Sequence, residues 1–190
     1  LAAVADDKNM QKAFKSGVDI HTKTASEVFG VADFMVTDEM RRRAKAVNFG
    51  IVYGIGEFSL AQDIGVTRKE AKEYIERYLK SFDGVSRYMK DIVVFAKKYG
   101  YVKTLLGRRR YIPEINSSNH MVKAFGERVA LNAPIQGTAA DIIKLAMVNV
   151  YRRLSENNMK SKLILQVHDE LIVDVPRDQA EKVKKILTDC

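Results

Sequence analysis

The chain has 190 residues, and its 46% hydrophobic content predicts a folded protein with a buried core and excludes an intrinsically disordered chain. Its 32 Lys and Arg against 24 Asp and Glu give a formal net charge of +8, which favours a polyanionic partner such as nucleic acid, although surplus lysine often only solvates a surface. The single cysteine, Cys190, excludes an intrachain disulfide and a cysteine-based zinc site.

Both ends of the chain indicate a piece of a longer protein. The first residues, LAAVADD, read as the interior of a helix without a cap, and the last, AEKVKKILTDC, read as a helix without a terminator. No apolar run is long enough to cross a bilayer, and the first residues lack the order of a signal peptide. We therefore expect a cytoplasmic protein that is neither secreted nor embedded in a membrane.

A helix is predicted over residues 41–54, RRRAKAVNFGIVYG, and its two faces differ. Side chains four residues apart lie on one face of a helix. The residues at that spacing are Arg41, Lys45, Phe49 and Tyr53. The small apolar residues of the opposite face, predicted to pack against the protein, are Ala44, Val47 and Ile51.

The order of charges and rings along this helix matches a nucleoside triphosphate, which has a polyanionic end and a flat aromatic end. Arg41 could fork onto phosphate oxygens, Lys45 could supply a point charge, and Phe49 offers a ring for a base to stack on. The alternative is a partly exposed helix whose rings belong to the core and whose cations are solvated. Gly50 and Gly54 weaken a helix, which indicates a close approach of another group or a lid that moves.

Two helices and a basic hairpin follow in the chain. Thr67 and Glu70 have the spacing of a capping box at the start of an amphipathic helix, and Gly100 is expected to end a second helix that begins near Val85. Residues 101–113, YVKTLLGRRRYIP, predict two short strands carrying three consecutive arginines, 108–110. This basic ribbon could lie on a phosphate backbone, or it could be a solvated edge that prevents aggregation.

A helical segment over residues 121–131 is predicted to end before Pro134, and Thr138 and Asp141 have the spacing of a capping box for the next helix. After it, residues 162–176 predict a tight antiparallel hairpin, which apolar strands on both sides of the turn would mostly bury. A final amphipathic segment, 180–187, is expected to pack against this sheet. The elements together predict an α+β fold that is predominantly helical, with one lobe over residues 1–82 and a second over 83–190.

The turn of the last hairpin holds His168, Asp169 and Glu170 instead of the Asn-Gly or Asp-Gly that such turns prefer. Adjacent carboxylates are hard oxygen ligands suited to Mg²⁺ that bridges substrate phosphates. The alternative is a solvent-exposed acidic turn. Two-metal chemistry normally needs a carboxylate from a second strand, and helix caps or helical context explain the other candidate acids more simply. Those acids are Asp6, Asp7, Asp19 and Asp141.

Three segments, RRRAKAVNFGIVYG, NAPIQGTAAD and QVHDELIVDVP, resemble in order and spacing the motifs of the bacterial DNA polymerase I family, family A. The resemblance covers essentially the whole chain. It implies a DNA-directed DNA polymerase that adds deoxynucleoside triphosphates to a primer 3′ hydroxyl by phosphoryl transfer with two Mg²⁺ ions. It also implies a DNA primer-template as partner and a monomeric intact enzyme in the bacterial cytoplasm. Residues 1–82 would be the fingers subdomain, with its nucleotide-binding helix at 41–54, and residues 83–190 part of the palm.

The resemblance implies a role for each residue of the nucleotide-binding helix. Arg41 and Lys45 would bind the incoming triphosphate, and Lys45 would donate a proton to the departing pyrophosphate. His21 would also touch phosphate. Phe49 would pack on the nucleotide, and Tyr53 would lie on the template side.

The resemblance assigns the DNA and metal contacts to the second half of the chain. The residues expected on the minor-groove side of the primer-template terminus are Gln136, Asn132 and Arg128. His168 would contact the primer end. Asp169 would bind the catalytic magnesium ions with the help of Glu170, so the catalytic set would be Asp169, Lys45 and Glu170.

The family's other essential aspartate lies in a motif resembling DYSQIELR, which is absent from this sequence, so we expect the chain alone to be inactive. Two rival functions remain open. A non-catalytic nucleic-acid-binding module predicts salt-sensitive DNA binding without a need for nucleotide or magnesium. A metal phosphohydrolase built on His168 and Asp169 is a weaker fit, because neither His21 nor His120 has ligand spacing to that turn.

Overall fold

The computed structural model describes residues 1–190 and contains eight α-helices and two separate two-stranded antiparallel sheets, which confirms the α+β, predominantly helical prediction. The helices are α1 (Lys8–Lys15), α2 (Ile20–Phe29), α3 (Asp38–Val52), α4 (Glu57–Ile64), α5 (Arg68–Ser81), α6 (Asp83–Tyr99), α7 (His120–Glu156) and α8 (Ala180–Thr188). The strands are β1 (Tyr101–Lys103), β2 (Arg109–Tyr111), β3 (Lys162–Val167) and β4 (Glu170–Asp174). Two compact units cover residues 1–135 and 136–190.

Most of the first unit is built around a helical core. Apolar faces of α1 to α6 meet there, and the largest fully buried side chains in this core include Tyr78, Phe82 and Leu60. The predicted capping box at the start of α5 is confirmed, with Thr67 accepting from the backbone N–H of Glu70 and the Glu70 carboxylate accepting from the N–H of Thr67. Gly100 ends α6 in the left-handed conformation, as predicted.

The first residues do not form the interior of a helix, contrary to the prediction. Residues 2–6 form turns, and α1 begins at Lys8. Asp7 explains this start because its buried carboxylate accepts from the N–H of Met10 in α1 and from the N–H of Val85 in the first turn of α6. One carboxylate therefore caps two helices, and negative charge is favourable at both N-termini.

The basic ribbon folds as the predicted hairpin over a small second core. Strand β1 pairs with β2 so that Tyr101 faces Tyr111, Val102 faces Arg110 and Lys103 faces Arg109. Val102 points inward and is buried together with apolar residues of the neighbouring elements. The other members of this buried cluster are Ala96, Ile112, Ile115 and Ala130.

Helix α7 is continuous over 37 residues, so the predicted break at Pro134 and the predicted cap at Thr138 are wrong. A proline inside a helix costs roughly 3 kcal/mol because it removes one backbone hydrogen bond. Here Pro134 is buried beside the buried residues Ala130 and Leu131, and apolar burial on this turn offsets the cost. Thr138 lies in the helix interior and is also buried.

The second unit consists of the end of α7, the β3–β4 hairpin and α8. Val183 and Ile186 of α8 are buried against Val150 and Leu154 of α7, with Val173 of β4 packed at the edge of this cluster, which confirms the predicted packing of the last helix. The prediction that this hairpin is mostly buried is wrong. Half or more of the side-chain surface of Ile164 and Leu165 is exposed, because α8 covers only one face of a two-stranded sheet.

Candidate active site

Helix α3 presents one face to solvent and buries the other, as its spacing predicts. Thr37 caps the helix by accepting from the N–H of Met40, and Asp38 and Glu39 place negative charge in the first turn, where the helix dipole favours it. The residues on the buried face are Ala44, Val47, Gly50 and Ile51. Fixed from behind in this way, α3 holds its outward side chains in a defined row.

The row contains cations and rings that lie close to one another. The Lys45 ammonium is 6.0 Å from the centroid of the Phe49 ring, so the two side chains share one side of the helix. His21 belongs to α2, and the centroid of its ring lies 6.0 Å from the centroid of the Phe49 ring. Phe49 is half exposed. Tyr53, predicted inside the helix, is instead the residue that ends it, and it is also half exposed.

Asp19, which the sequence predicts only as a helix cap, also binds Arg41. Asp19 does cap α2, accepting from the N–H and the hydroxyl of Thr22 at 2.8 Å each. Its two oxygens also accept from Nε and Nη2 of Arg41 at 2.9 and 3.0 Å, a bidentate pair that fixes the guanidinium in one plane. The hydrogen bonds from Arg41 hold the pKa of the Asp19 carboxyl far below its usual value.

His21 lies among charges and beside an amide that affect its protonation. Burial lowers its pKa, and the nearby charges of Arg41 and Lys45 lower it further against the opposing effect of Asp19. Asn48, on the next turn of α3, places its amide nitrogen 3.0 Å from Nδ1 of His21. When a neutral imidazole accepts such an amide N–H at Nδ1, its proton lies on Nε2 and that nitrogen can donate.

Lys45 differs from the other cations of α3 in having no carboxylate within ion-pair distance. Arg42 and Arg43 both pair with Glu39, one turn earlier on the same helix. Arg41 pairs with Asp19. In this row Asp19 orients Arg41, whereas no carboxylate of the protein neutralises Lys45, which lies beside the half-exposed ring of Phe49.

The glycines at the end of α3 allow the close approach that their position predicts. A Cβ atom on Gly50 would lie 2.5 Å from Cγ2 of Ile55, which folds back over the helix end. Gly54 has a φ of +68°, and a Cβ there would meet Leu131 and Arg128 of α7 at 3.0 and 3.2 Å. This close approach brings Arg128, a predicted DNA-binding residue, next to the end of α3.

Three of the four predicted DNA contacts lie on α7, and the fourth, His168, lies in the turn between β3 and β4. Arg128 and Gln136 are exposed, and Asn132 lies between them with its Oδ1 buried and without a hydrogen-bond partner in the protein. Side chains four residues apart share one face of a helix, so Arg128 and Asn132 lie on the same side of α7. Their contacts with DNA stay a prediction.

The carboxylate hairpin has a tighter turn than the sequence indicates. Glu170 pairs with Val167 inside the ladder, which leaves only His168 and Asp169 in the turn. His168 has a φ of +53°, a conformation that usually selects glycine or asparagine, and its carbonyl accepts from the Gln166 amide at 2.8 Å. Strain at a charged, exposed tip is typical of a functional turn.

The oxygens of Asp169 and Glu170 are suitable for Mg²⁺, although they do not form a complete site. Both side chains are exposed and neither pairs with a cation, so their carboxylates are available. No group of three His, Cys, Asp or Glu side chains that could hold a metal exists in the chain. Mg²⁺ commonly uses only one or two carboxylates together with water and substrate phosphates, and the turn fits that incomplete ligand set.

None of the helices combines the length and the apolarity that crossing a bilayer requires.

Comparisons with known proteins agree on one family. The sequence profile described as DNA polymerase family A matches residues 1–190. DNA polymerase I from Bacillus caldotenax is 54% identical over 187 residues, and that from Geobacillus stearothermophilus is 55% identical over the same length. Each match covers 98% of this chain and 21% of the relative, so the chain spans about a fifth of the length of these relatives.

A solved structure gives the same result for the fold. The POL domain of Pol1 from M. smegmatis, in complex with DNA primer-template and dNTP, superimposes with a TM-score of 0.93 at 44% identity. The match covers 99% of this chain and 33% of that one.

Proposed function

Since the chain belongs to DNA polymerase family A, we propose that it carries the nucleotide-binding helix and a metal-binding turn of a DNA-directed DNA polymerase. The observation that carries this proposal is the row on α3, where an oriented guanidinium, an unneutralised ammonium and an exposed ring follow one another. That order fits the phosphates and the base of a nucleoside triphosphate. The M. smegmatis polymerase, solved with DNA primer-template and dNTP, supports the same substrates.

Each residue near α3 has a separate task in the proposed reaction. Arg41 binds phosphate oxygens through the edge of the guanidinium that Asp19 does not occupy, and Lys45 places its charge beside the leaving phosphates. The neutral His21 donates from Nε2 to phosphate. Phe49 packs on the nucleotide, and Tyr53 at the helix end lies on the template side.

The proposed reaction joins the primer to the α-phosphate of the nucleotide. The primer 3′ hydroxyl gives its proton to water, a bond forms between the 3′ oxygen and the α-phosphorus, the bond from the α-phosphorus to the bridging oxygen breaks, and pyrophosphate leaves. Two Mg²⁺ ions, held in part by Asp169 and Glu170, would activate the attacking oxygen and stabilise the leaving one. Lys45 neutralises the charge that develops on pyrophosphate and gives it a proton.

The DNA contacts and the wider setting belong to the same proposal. Arg128, Asn132 and Gln136 of α7 contact the minor-groove side of the primer-template terminus, where every correct pair presents acceptors in similar places. His168 contacts the primer end. We further propose residues 1–82 as the fingers and 83–190 as part of the palm, in an enzyme that is a monomer of the bacterial cytoplasm and is inactive as the isolated chain.

The test compares two cations of the same helix in the full-length protein. Primer extension on a defined primer-template with Mg²⁺ is measured for Lys45→Ala and for the matched control Arg42→Ala, whose guanidinium pairs with Glu39 off the row. We expect Lys45→Ala to lower kcat/KM for the nucleotide by about 100-fold or more, the usual effect of removing one group that stabilises transition-state charge. Arg42→Ala should lower it by less than about threefold. Equal effects of the two substitutions, or no extension by the unmodified protein, would reject the proposal.

A further inference from the structure

The outward face of the β1–β2 hairpin has a composition that the proposed active site does not use. We call this surface the hairpin face, and it consists of Tyr101, Lys103, Arg109 and Tyr111. The antiparallel register places Tyr101 opposite Tyr111 and Lys103 opposite Arg109. Val102, between the first two, points the other way into the core. One ring pair and one cation pair therefore stand side by side on the same surface.

Two rings from the end of α6 extend the ring pair into a continuous series. Tyr101 lies 5.7 Å from Tyr111, 5.6 Å from Phe95 and 6.3 Å from Tyr99, measured between ring centroids. Phe95 and Tyr99 are 4.6 Å apart. These rings do not form a closed core, because 50% of Tyr99 and 63% of Tyr111 is exposed.

Cations lie over these rings, and no acid neutralises them. The Arg109 guanidinium is 4.8 Å from the centroid of the Tyr101 ring, and the Lys103 ammonium is 5.6 Å from it. The Lys98 ammonium lies 5.1 Å from the Tyr99 ring. Like charges directly opposite each other in a sheet are destabilising, yet neither Lys103 nor Arg109 has a carboxylate within ion-pair distance. An anionic ligand would relieve this repulsion.

We propose that the hairpin face, together with Lys98 and Tyr99, binds single-stranded DNA. Exposed rings interleaved with cations are the combination that holds an unpaired strand, because bases stack on the rings while the cations contact the phosphates. A duplex does not fit equally well, since its bases already stack on each other and leave no free faces for Tyr99 and Tyr111. A solvated basic edge would need the arginines and lysines but not the series of exposed rings.

The test measures binding of a labelled single strand to the full-length protein. Fluorescence anisotropy of a labelled 12-nucleotide oligothymidine is recorded without Mg²⁺ or nucleotide, in the presence of saturating unlabelled blunt duplex that occupies other DNA sites. Omitting Mg²⁺ and nucleotide separates the outcome from that of the polymerase proposal. Stacking on one ring is worth about 1 to 3 kcal/mol, so Tyr111→Ala should weaken binding by about fivefold or more.

Three controls distinguish stacking from charge. Tyr111→Phe, which keeps the ring, should bind within about twofold of the unmodified protein. Phe34→Ala removes a ring that is 90% exposed and has no cation or ring neighbour, and it should have no effect. Arg109→Gln should reduce the dependence of log Kd on log salt by about 0.7, the value for one phosphate contact on a single strand, while Tyr111→Ala should leave that slope unchanged.

Two results would overturn the proposal. Equal affinities of Tyr111→Ala and Phe34→Ala would mean that the rings of the hairpin face do not bind the strand. Equal binding of an abasic strand of the same length would mean that only the charges act, as a basic edge would. Circular dichroism of each variant establishes that a loss of affinity does not come from unfolding.

Discussion

Asp19 caps α2 and also pairs with Arg41 of α3. Different substitutions of Asp19 can separate the contribution of the cap to stability from that of the ion pair. Asp19→Ala removes the cap of α2 and the pair with Arg41, whereas Asp19→Asn keeps an oxygen that can accept from Thr22 and removes the charge together with one of the two oxygens that accept from Arg41. Losing an Asp or Asn cap to alanine costs about 1 kcal/mol. At pH 7 we therefore expect Asp19→Ala to be less stable than Asp19→Asn by about 1 kcal/mol, measured by urea unfolding of the 190-residue chain.

The pH dependence isolates the ion pair. Because Arg41 lowers the pKa of Asp19 in the folded protein, the pair contributes stability above the unfolded pKa of about 3.9, and this contribution is lost as the pH falls toward the lower folded value. The unmodified protein should therefore be more stable than Asp19→Asn at pH 7, and the gap should shrink below about pH 4. If Asp19→Asn and Asp19→Ala were equally unstable at pH 7, the assignment of the cap would be wrong. A gap that persisted unchanged to pH 3 would contradict the assignment of the pair.

Three further predictions concern the row on α3 and the loop that follows it. Phe49→Tyr in the full-length protein should incorporate dideoxynucleotides far more readily, as the family resemblance implies for a ring that gains a hydroxyl, and equal incorporation in a primer-termination assay would count against packing Phe49 on the nucleotide. Gly54→Ala should lower the melting temperature of the chain by several degrees, because a left-handed φ costs a non-glycine residue about 1 to 2 kcal/mol and its Cβ would press on Leu131; Gly56→Ala, which meets open space, is the control in the same calorimetric scan. His21 should titrate below the ordinary histidine range in NMR, and inorganic triphosphate should raise its pKa, because an adjacent anion favours the imidazolium; no response to triphosphate would remove His21 from the phosphate site.

The sequence by itself determined the elements whose signals are local. Thr67 with Glu70 begins α5, and Gly100 ends α6, because a capping box and a left-handed glycine act within one turn of the chain. The two faces of α3 were also predictable, since the four-residue spacing alone separates Lys45 and Phe49 from the buried side. The positions of both hairpins were also predictable, because each consists of two short strand-like segments separated by a turn that the sequence shows.

Tertiary structure decided the features in which distant residues meet. Pro134 looked like a helix end, but burial of its turn outweighs the local cost and keeps α7 continuous. Asp7 caps α6 as well as α1, and Asp19 orients Arg41 as well as capping α2, because the chain brings residues 78 and 22 positions apart into hydrogen-bond contact. A local pattern cannot encode such partners. The exposed apolar side of β3 has the same origin, because whether an apolar strand is buried depends on what packs over it and not on its own residues.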